Sequence, residues 1–239
     1  LAEPAPTPGE HPTRDELSRL AIAGIENGMT VGLGTGRTSS RAIRALADRV
    51  ARESLRIRCV CTSDTTEALA HELRLPTVDF DGVEEVDLLF DGAGEVDHDL
   101  RMLKGQHGAI ARQRLVARAA RRRIYLVSES KLVTRLGETA TLPVAVLSFG
   151  LAFVRAELRN LGLSGVVRRN LEGGYFVTDA GSLIIDVMLP DRRPEEIAST
   201  LDAVPGVIDH GLFLTEADEV FAESENGSVR RLMRREAAL

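Results

Sequence analysis

The sequence predicts an α/β fold: a doubly wound, mostly parallel sheet with a second, smaller α+β domain of split β-α-β type. Three observations lead there. Short apolar, β-branched runs alternate with helix-period segments over the first 140 or so residues. Several of these strand-like runs open into glycine- or hydroxyl-rich turns that lead directly into helices. Near Leu142 the alternation gives way to strand, helix, strand, hairpin and helix within roughly 65 residues.

Residues 1–12 carry four prolines and little apolar content, which predicts a disordered leader. Leu17, Leu20, Ile22 and Ile25 give a helix from Asp15 to Glu26, with Gly28 as its stop. Thr30–Leu33 is a buried strand, followed by a glycine-rich loop and a helix through Val50. A strand at Ile57–Thr62, a helix from Thr65 to about Arg74 and a short strand around Pro76–Phe80 come next. Val86–Phe90 is a strand closed by Asp91-Gly92; Gly108–Ala120 is a helix and Arg123–Val127 a strand. The second unit holds a strand (Leu142–Phe149), a helix (Leu151–Leu161, stopped by Gly162) and a strand (Gly165–Arg169). A hairpin then turns at Asp179-Ala180-Gly181 between Tyr175–Thr178 and Ser182–Leu189, and a helix opens at Pro194. Val207–Leu214 and Glu219–Ala222 are strands expected to return to the first domain. The domains are therefore 13–140 plus 207–224 and 141–206, with an Arg-rich tail over 225–239 (Arg230, Arg231, Arg234, Arg235) read as a solvated end.

Composition narrows the function. The 239 residues are 44% hydrophobic and 28% charged, with 30 basic and 36 acidic groups and a net charge of −6. Aromatics make up 4% and Trp is missing, which argues against a base-stacking nucleic-acid surface. No apolar run is long enough to span a bilayer and no signal peptide is visible, so a cytoplasmic protein is expected. Cys59 and Cys61, two apart on one strand, read as small core residues of a reducing compartment rather than a bridge or a metal pair. Of the 30 basic residues only Lys104 and Lys131 are lysine. In so Arg-dominated a chain, a compact ammonium marks a position worth attention.

Chemistry concentrates at three strand ends. Gly32-Leu33-Gly34-Thr35-Gly36-Arg37-Thr38-Ser39 joins a strand to a helix, where small residues, hydroxyls and the helix N-terminus suit an anion. Its GxGxG spacing, without an acid at the end of the next strand, is not the dinucleotide fingerprint. Neither an organic cofactor nor a metal is expected. Thr62-Ser63-Asp64-Thr65-Thr66-Glu67 is a helix cap that can face the first loop. The third segment runs from Asp91-Gly92-Ala93-Gly94-Glu95-Val96-Asp97 through Leu103-Lys104-Gly105-Gln106-His107-Gly108 to Arg112-Gln113-Arg114.

With these motifs in order, and with Ser130-Lys131, Leu142-Pro143-Val144, Val177-Thr178-Asp179 and Gly206-Val207-Ile208 after them, the chain resembles ribose-5-phosphate isomerase A from the first helix to about Ser224. The resemblance implies aldose–ketose isomerisation of ribose 5-phosphate and ribulose 5-phosphate through an enediol. It also implies a place in the pentose phosphate pathway and a homo-oligomer, dimer or tetramer. It assigns Thr35, Gly36, Arg37 and Thr38 to the phosphate and sugar loop, Asp91 to the first acid of a DGAD turn, Lys104 to a KGGG loop and Lys131 to a substrate-binding lysine. Gly94 and Gly105 fall among the substrate-binding positions.

The pattern breaks at the base. The family's Arg-Glu-Lys triplet reads Arg112-Gln113-Arg114, the second acid of the turn is Gly94, and the KGGG loop is Lys104-Gly105-Gln106-His107. The family's N-terminal lysine is Ser18, and the serine of its phosphate loop is Arg37. Ala109, Ile110, Val116 and Ala117 flank Gln113 at helical spacing, so position 113 faces inward. An amide does not accept and return a proton. His107, at the N-terminus of the following helix, is a candidate replacement base, with Glu95 ranked behind it. Three readings stay open: an isomerase with altered residues, an enzyme for another phosphosugar, and a non-catalytic phosphosugar binder.

Overall fold

A computed structural model describes residues 15–234; the leader expected over residues 1–12 lies outside them. The helix α1 (Glu16–Ile22) is capped by Asp15, whose carboxylate accepts from Ser18 N at 3.0 Å. It is followed by β1 (Thr30–Leu33), α2 (Arg37–Glu53), β2 (Arg58–Cys61) and α3 (Asp64–Glu72). Next come β3 (Val86–Gly92), the short β4 (Glu95–Val96) and β5 (Met102–Leu103), α4 (Ile110–Ala119) and β6 (Ala120–Ser128). The second unit contains β7 (Leu142–Val146), α5 (Leu151–Asn160), β8 (Gly165–Val167), β9 (Leu183–Val187) and α6 (Pro194–Asp202). The chain closes with β10 (Val207–His210), β11 (Leu212–Phe213), β12 (Glu219–Glu223) and β13 (Val229–Met233).

The main sheet has the order β13-β12-β6-β3-β1-β2 and is parallel except for β13. Alternate residues of its strands bury opposite faces. Leu88 and Phe90 pack with Leu17, Ile43 and Leu46 beneath α1 and α2, while Leu89 packs with Ile110 and Val116 of α4. The chain runs from β1 outward to β2 and then back across to β3. That reversal opens a crevice beyond the C-terminal ends of β1 and β3, where open α/β sheets bind ligands. The smaller unit is an antiparallel sheet, β10-β7-β9-β8, over a core of its own that includes Val154, Leu158, Ile197 and Leu201.

Several expectations need correction. Pro76–Phe80 forms no strand: Thr77 makes a single bridge to Cys59, and Phe80–Gly82 is a 3-10 turn. Tyr175–Thr178 likewise makes only isolated bridges, to Arg169 and Leu183. Val207–His210 does not return to the first domain but pairs with β7. Leu212–Phe213 instead joins β5 and β4 in a three-stranded sheet between the two units. The Arg-rich tail is not a solvated end through residue 234, because Val229–Met233 covers the edge of β12. There Arg231 meets Glu219 at 2.7 Å, and Arg234 donates to the carbonyls of Ala217, Leu100 and Leu214. A strand edge needs partners for its backbone, and that need outweighs the polar composition. Arg235 lies outside the described residues.

Candidate active site

The C-terminal ends of β1, β3 and β6 deliver three loops to the crevice, and the loop after β5 closes it. Together they line a cavity of about 260 Å³. Its walls are Thr35, Gly36, Arg37 and Thr38; Gly92, Ala93 and Gly94; Lys104, Gly105, Gln106 and His107; and Gln113 with Lys131. The catalytic and substrate-binding positions expected from the sequence are in this group except Asp91, which lies directly behind it, and the second-ranked base candidate Glu95.

The first wall suits an anion. Gly36 is the N-cap of the 17-residue α2, at φ +109°, and no side chain caps the helix, so its first N–H groups are free of such a partner. Gly34 is needed for close approach, since a Cβ there would collide with Asp91. The Thr35 hydroxyl lies 2.8 Å from those of Thr62 and Ser63, which locks the first loop to the second as the sequence suggested. Arg37 is exposed at the rim.

The buried centre is Asp91, with no solvent exposure. One oxygen accepts from Thr35 N (3.0 Å), Gly92 N (2.7 Å) and Ser39 Oγ (3.4 Å); the other accepts from Lys104 Nζ (2.8 Å) and Gln113 Nε2 (3.0 Å). With five donors on it, this carboxylate has no free lone pair with which to take a proton from a ligand. Lys104 is itself buried. Its ammonium also donates to the Gly92 carbonyl and lies 5.0 and 5.5 Å from the ring centroids of Tyr125 and Phe213. Burial pushes the Lys104 pKa down, and the charge of Asp91 pulls it back in part. The same burial holds the Tyr125 phenol in its neutral form, with Asp91 adding to the effect.

Gln113 faces inward from α4 as its neighbours require, at 4% exposure. Asp91 fixes its amide: the NH₂ donates to Asp91, and the opposite Oε1 is buried without a partner. His107 places its ring against the loop between β1 and α2, so that a Cβ on Gly36 would sit 3.0 Å from its Nε2. The residue as a whole is exposed. Desolvation nonetheless lowers its pKa, with Asp91 opposing and Lys104, Arg168 and Lys131 reinforcing. Glu95 is no free base, because it accepts from the backbone of Gly137, Thr139 and Ala140 and from the Thr139 hydroxyl, tying down the loop that leads into β7. Ser18, at the family's lysine position, bonds to Asp15 and is not among the residues lining the cavity.

Some contributors were not legible in the sequence. Gln106 donates from its side chain to Thr141 O and fills the space before Gly94, where a Cβ would meet its Cγ at 3.2 Å. Arg168 of the small unit donates to the Gln106 carbonyl at 2.8 Å while paired with Asp186. Arg114 anchors α4 through Asp209, Glu216 and the carbonyls of His210 and Leu212, and stacks 4.0 Å from the Phe213 ring. Asp97, His98 and Asp99 come within ligating distance of one another, but the Asp97 carboxylate is already committed to Arg101. Cys59 and Cys61 are free, with burial pushing both thiols up to about 12.

Comparison with known proteins agrees with this cleft. A family model described as ribose 5-phosphate isomerase A (phosphoriboisomerase A) matches residues 58–227. The ribose-5-phosphate isomerase A of Roseiflexus sp. (strain RS-1) is 41% identical over 220 residues, 90% of this chain and 94% of that one. The protein of the same name from Thermomicrobium roseum is 42% identical over 221 residues, 92% and 93% of the two chains. A structure of ribose 5-phosphate isomerase A from Methanocaldococcus jannaschii superposes with a TM-score of 0.87 at 32% identity, covering 92% of this chain and 97% of its own. A D-ribose-5-phosphate isomerase in complex with phospho-erythronic acid also scores 0.87 at 32% identity, covering 91% and 96%. Sequence match, shared fold and loop placement converge, and the chain belongs to the ribose 5-phosphate isomerase A family.

Proposed function

We propose that the protein binds ribose 5-phosphate or ribulose 5-phosphate in this cleft and interconverts them slowly, limited by the amide at position 113. What carries the reading is the gathering of Thr35, Gly36, Thr38, Lys104 and Lys131 around one cavity. The phosphate sits at the N-terminus of α2 with Arg37 and His107 beside it. The carbonyl end faces Lys104, whose ammonium stabilises the charge that develops on oxygen in an enediol. The relative with phospho-erythronic acid bound supports a phosphosugar as ligand. His107 lies at the phosphate loop, so its expected service as replacement base is the weaker part of the reading, and contact with the phosphate is the better one. A second reading, a binder without turnover, is favoured by a cavity lining that contains no carboxylate.

The test is a thermal shift with ribose 5-phosphate beside an isomerase assay of wild type and Gln113→Glu. Stabilisation at millimolar ligand together with weak wild-type turnover supports the proposal, and no stabilisation rejects it. Stabilisation with no turnover leaves the binder. Cytoplasmic location and a dimer or tetramer belong to the same proposal. No helix among the described residues is long and apolar enough to cross a membrane, and exposed Phe149, Val166 and Leu171 on the small unit suit self-association. Light scattering after gel filtration reads the oligomer directly.

A further inference from the structure

The stretch of cleft wall from Lys104 to Gly108 is a narrow lip. Gly105 and Gly108 both sit at positive φ, +84° and +85°, and Gly108 N donates to Gly105 O at 2.9 Å. Gln106 and His107 form the tip between these two glycines, and both line the cavity. The His107 ring reaches across to the loop between β1 and α2, where a Cβ on Gly36 would sit 3.0 Å from Nε2. Where the tip stands therefore sets how closely the cleft is walled.

The small unit ties that tip down. Gln106 Nε2 donates to Thr141 O at 3.1 Å, at the entry to β7, and Arg168 Nη1 donates to Gln106 O at 2.8 Å. The Phe176 ring lies against Gly108, where a Cβ would meet its Cε1 at 2.5 Å. Arg168 and Phe176 are themselves neighbours, since Phe176 N donates to Arg168 O at 3.0 Å. Asp186 of β9 holds the guanidinium by two of its arms, Nε at 2.9 Å and Nη2 at 2.5 Å. A planar fork fixed at two points has its third arm aimed. That arm leaves the small unit for a backbone carbonyl, so what it fixes is the course of the chain rather than a side chain. Pairing with Asp186 alone would not require it.

We propose that Arg168 is a positioning residue for ligand binding: through the Gln106 carbonyl it holds the tip of the lip in place as a wall of the cleft. The small unit thereby sets the tightness of a site built on the main sheet. The effect on the ligand rests on the phosphosugar cleft proposed above, whereas the effect on the lip does not.

Hydrogen exchange of the ligand-free protein, followed by mass spectrometry, and calorimetry with ribose 5-phosphate decide it. In Arg168→Lys the ammonium keeps its pairing with Asp186 but cannot serve both partners in one fixed geometry. The amides of Gly105, Gln106 and His107 are expected to exchange about tenfold faster or more, as the loss of one charge-assisted hydrogen bond implies, with α2 and β9 exchanging as in the wild type. The dissociation constant for ribose 5-phosphate is expected to rise by roughly the same factor, with Tm little changed. Asp186→Asn leaves the Gln106 contact but loosens its aim, and is expected to fall between the two. Unchanged exchange at the lip in Arg168→Lys would overturn the inference. Faster exchange spread evenly through β7, β8 and β9 would overturn it too, because that marks an ion pair that serves stability alone. A loosened lip that binds ribose 5-phosphate as tightly as before would do the same. Failure of the wild type to bind ribose 5-phosphate at millimolar concentration would reject the phosphosugar reading, while the exchange contrast at the lip decides the role of Arg168 in either case.

Discussion

At the scale of single residues, the site turns on how Asp91 distributes its two oxygens. Because one is shared by Lys104 and Gln113, each neighbour has a separable effect. Gln113→Glu is expected to raise kcat for ribose 5-phosphate isomerisation by roughly 10²–10⁴-fold with KM little changed, because a positioned base acts in the transition state. A coupled assay of ribulose 5-phosphate formation measures it. Lys104→Met strands a buried carboxylate, and breaking such a pair typically costs about 3–5 kcal/mol. Urea denaturation checks this, since the lost stability must appear without any ligand present. The acid at position 94 cannot return alone. A Cβ on Gly94 would sit 2.9 Å from Leu103 O and 3.2 Å from Gln106 Cγ. Gly94→Asp is expected to cost about 1–3 kcal/mol, as overpacked sites do, and Gly94→Asp with Gln106→Gly to recover part of it. The same denaturation measurement tests that coupling.

At the scale of elements, β10 ends in His210, which is held by two contacts of the neutral ring. Nδ1 accepts from Leu212 N at 3.2 Å, and Nε2 lies 3.2 Å from Asp202. Burial, reinforced by Arg114, lowers its pKa below 6.5, and burial does the same for His107. A histidine with a depressed folded pKa leaves stability intact above the unfolded value and takes it away as pH falls through the folded one. The urea midpoint is therefore expected to fall below about pH 6.5, with a smaller fall in His210→Asn, where one titrating ring is gone. Elements with a clear period could be read from the sequence, as β1, α2, β3, α4 and β6 were, because hydrophobic spacing is local information. The two-residue strands β4, β5 and β11 carry no period at all, and their sheet exists only once the two units are packed. Asp91, Lys104 and Gln113 were legible as a group because their motifs follow the family's in order, so the resemblance assigned them to one site. Tyr125 and Phe213, which floor the lysine, look like any apolar strand residue. Arg168 gave no signal either, because its contact with the cleft is to the backbone carbonyl of Gln106.

At the scale of the whole molecule, the C-terminal strand and the small unit both bear on a distant cleft. Deleting residues 229–239 uncovers β12 and removes the Arg231–Glu219 contact. The expected result is a Tm lowered by several degrees, at about 2–4 °C per kcal/mol for a chain of this size, and a tendency to aggregate through the bared edge. Scanning calorimetry with light scattering reads both effects. The small unit holds the Lys104–Gly108 loop through Arg168 on Gln106 and through Phe176, whose ring lies against Gly108. The scarcity of lysine has its own consequence at this scale. Apart from an α-amino group, Lys104 and Lys131 are the only primary amines in the sequence; one is sealed from solvent and the other half-open on the wall of the same cavity. Reductive methylation followed by peptide mass spectrometry should therefore modify one internal position, and the speed of that single reaction becomes a direct gauge of how full the cleft is.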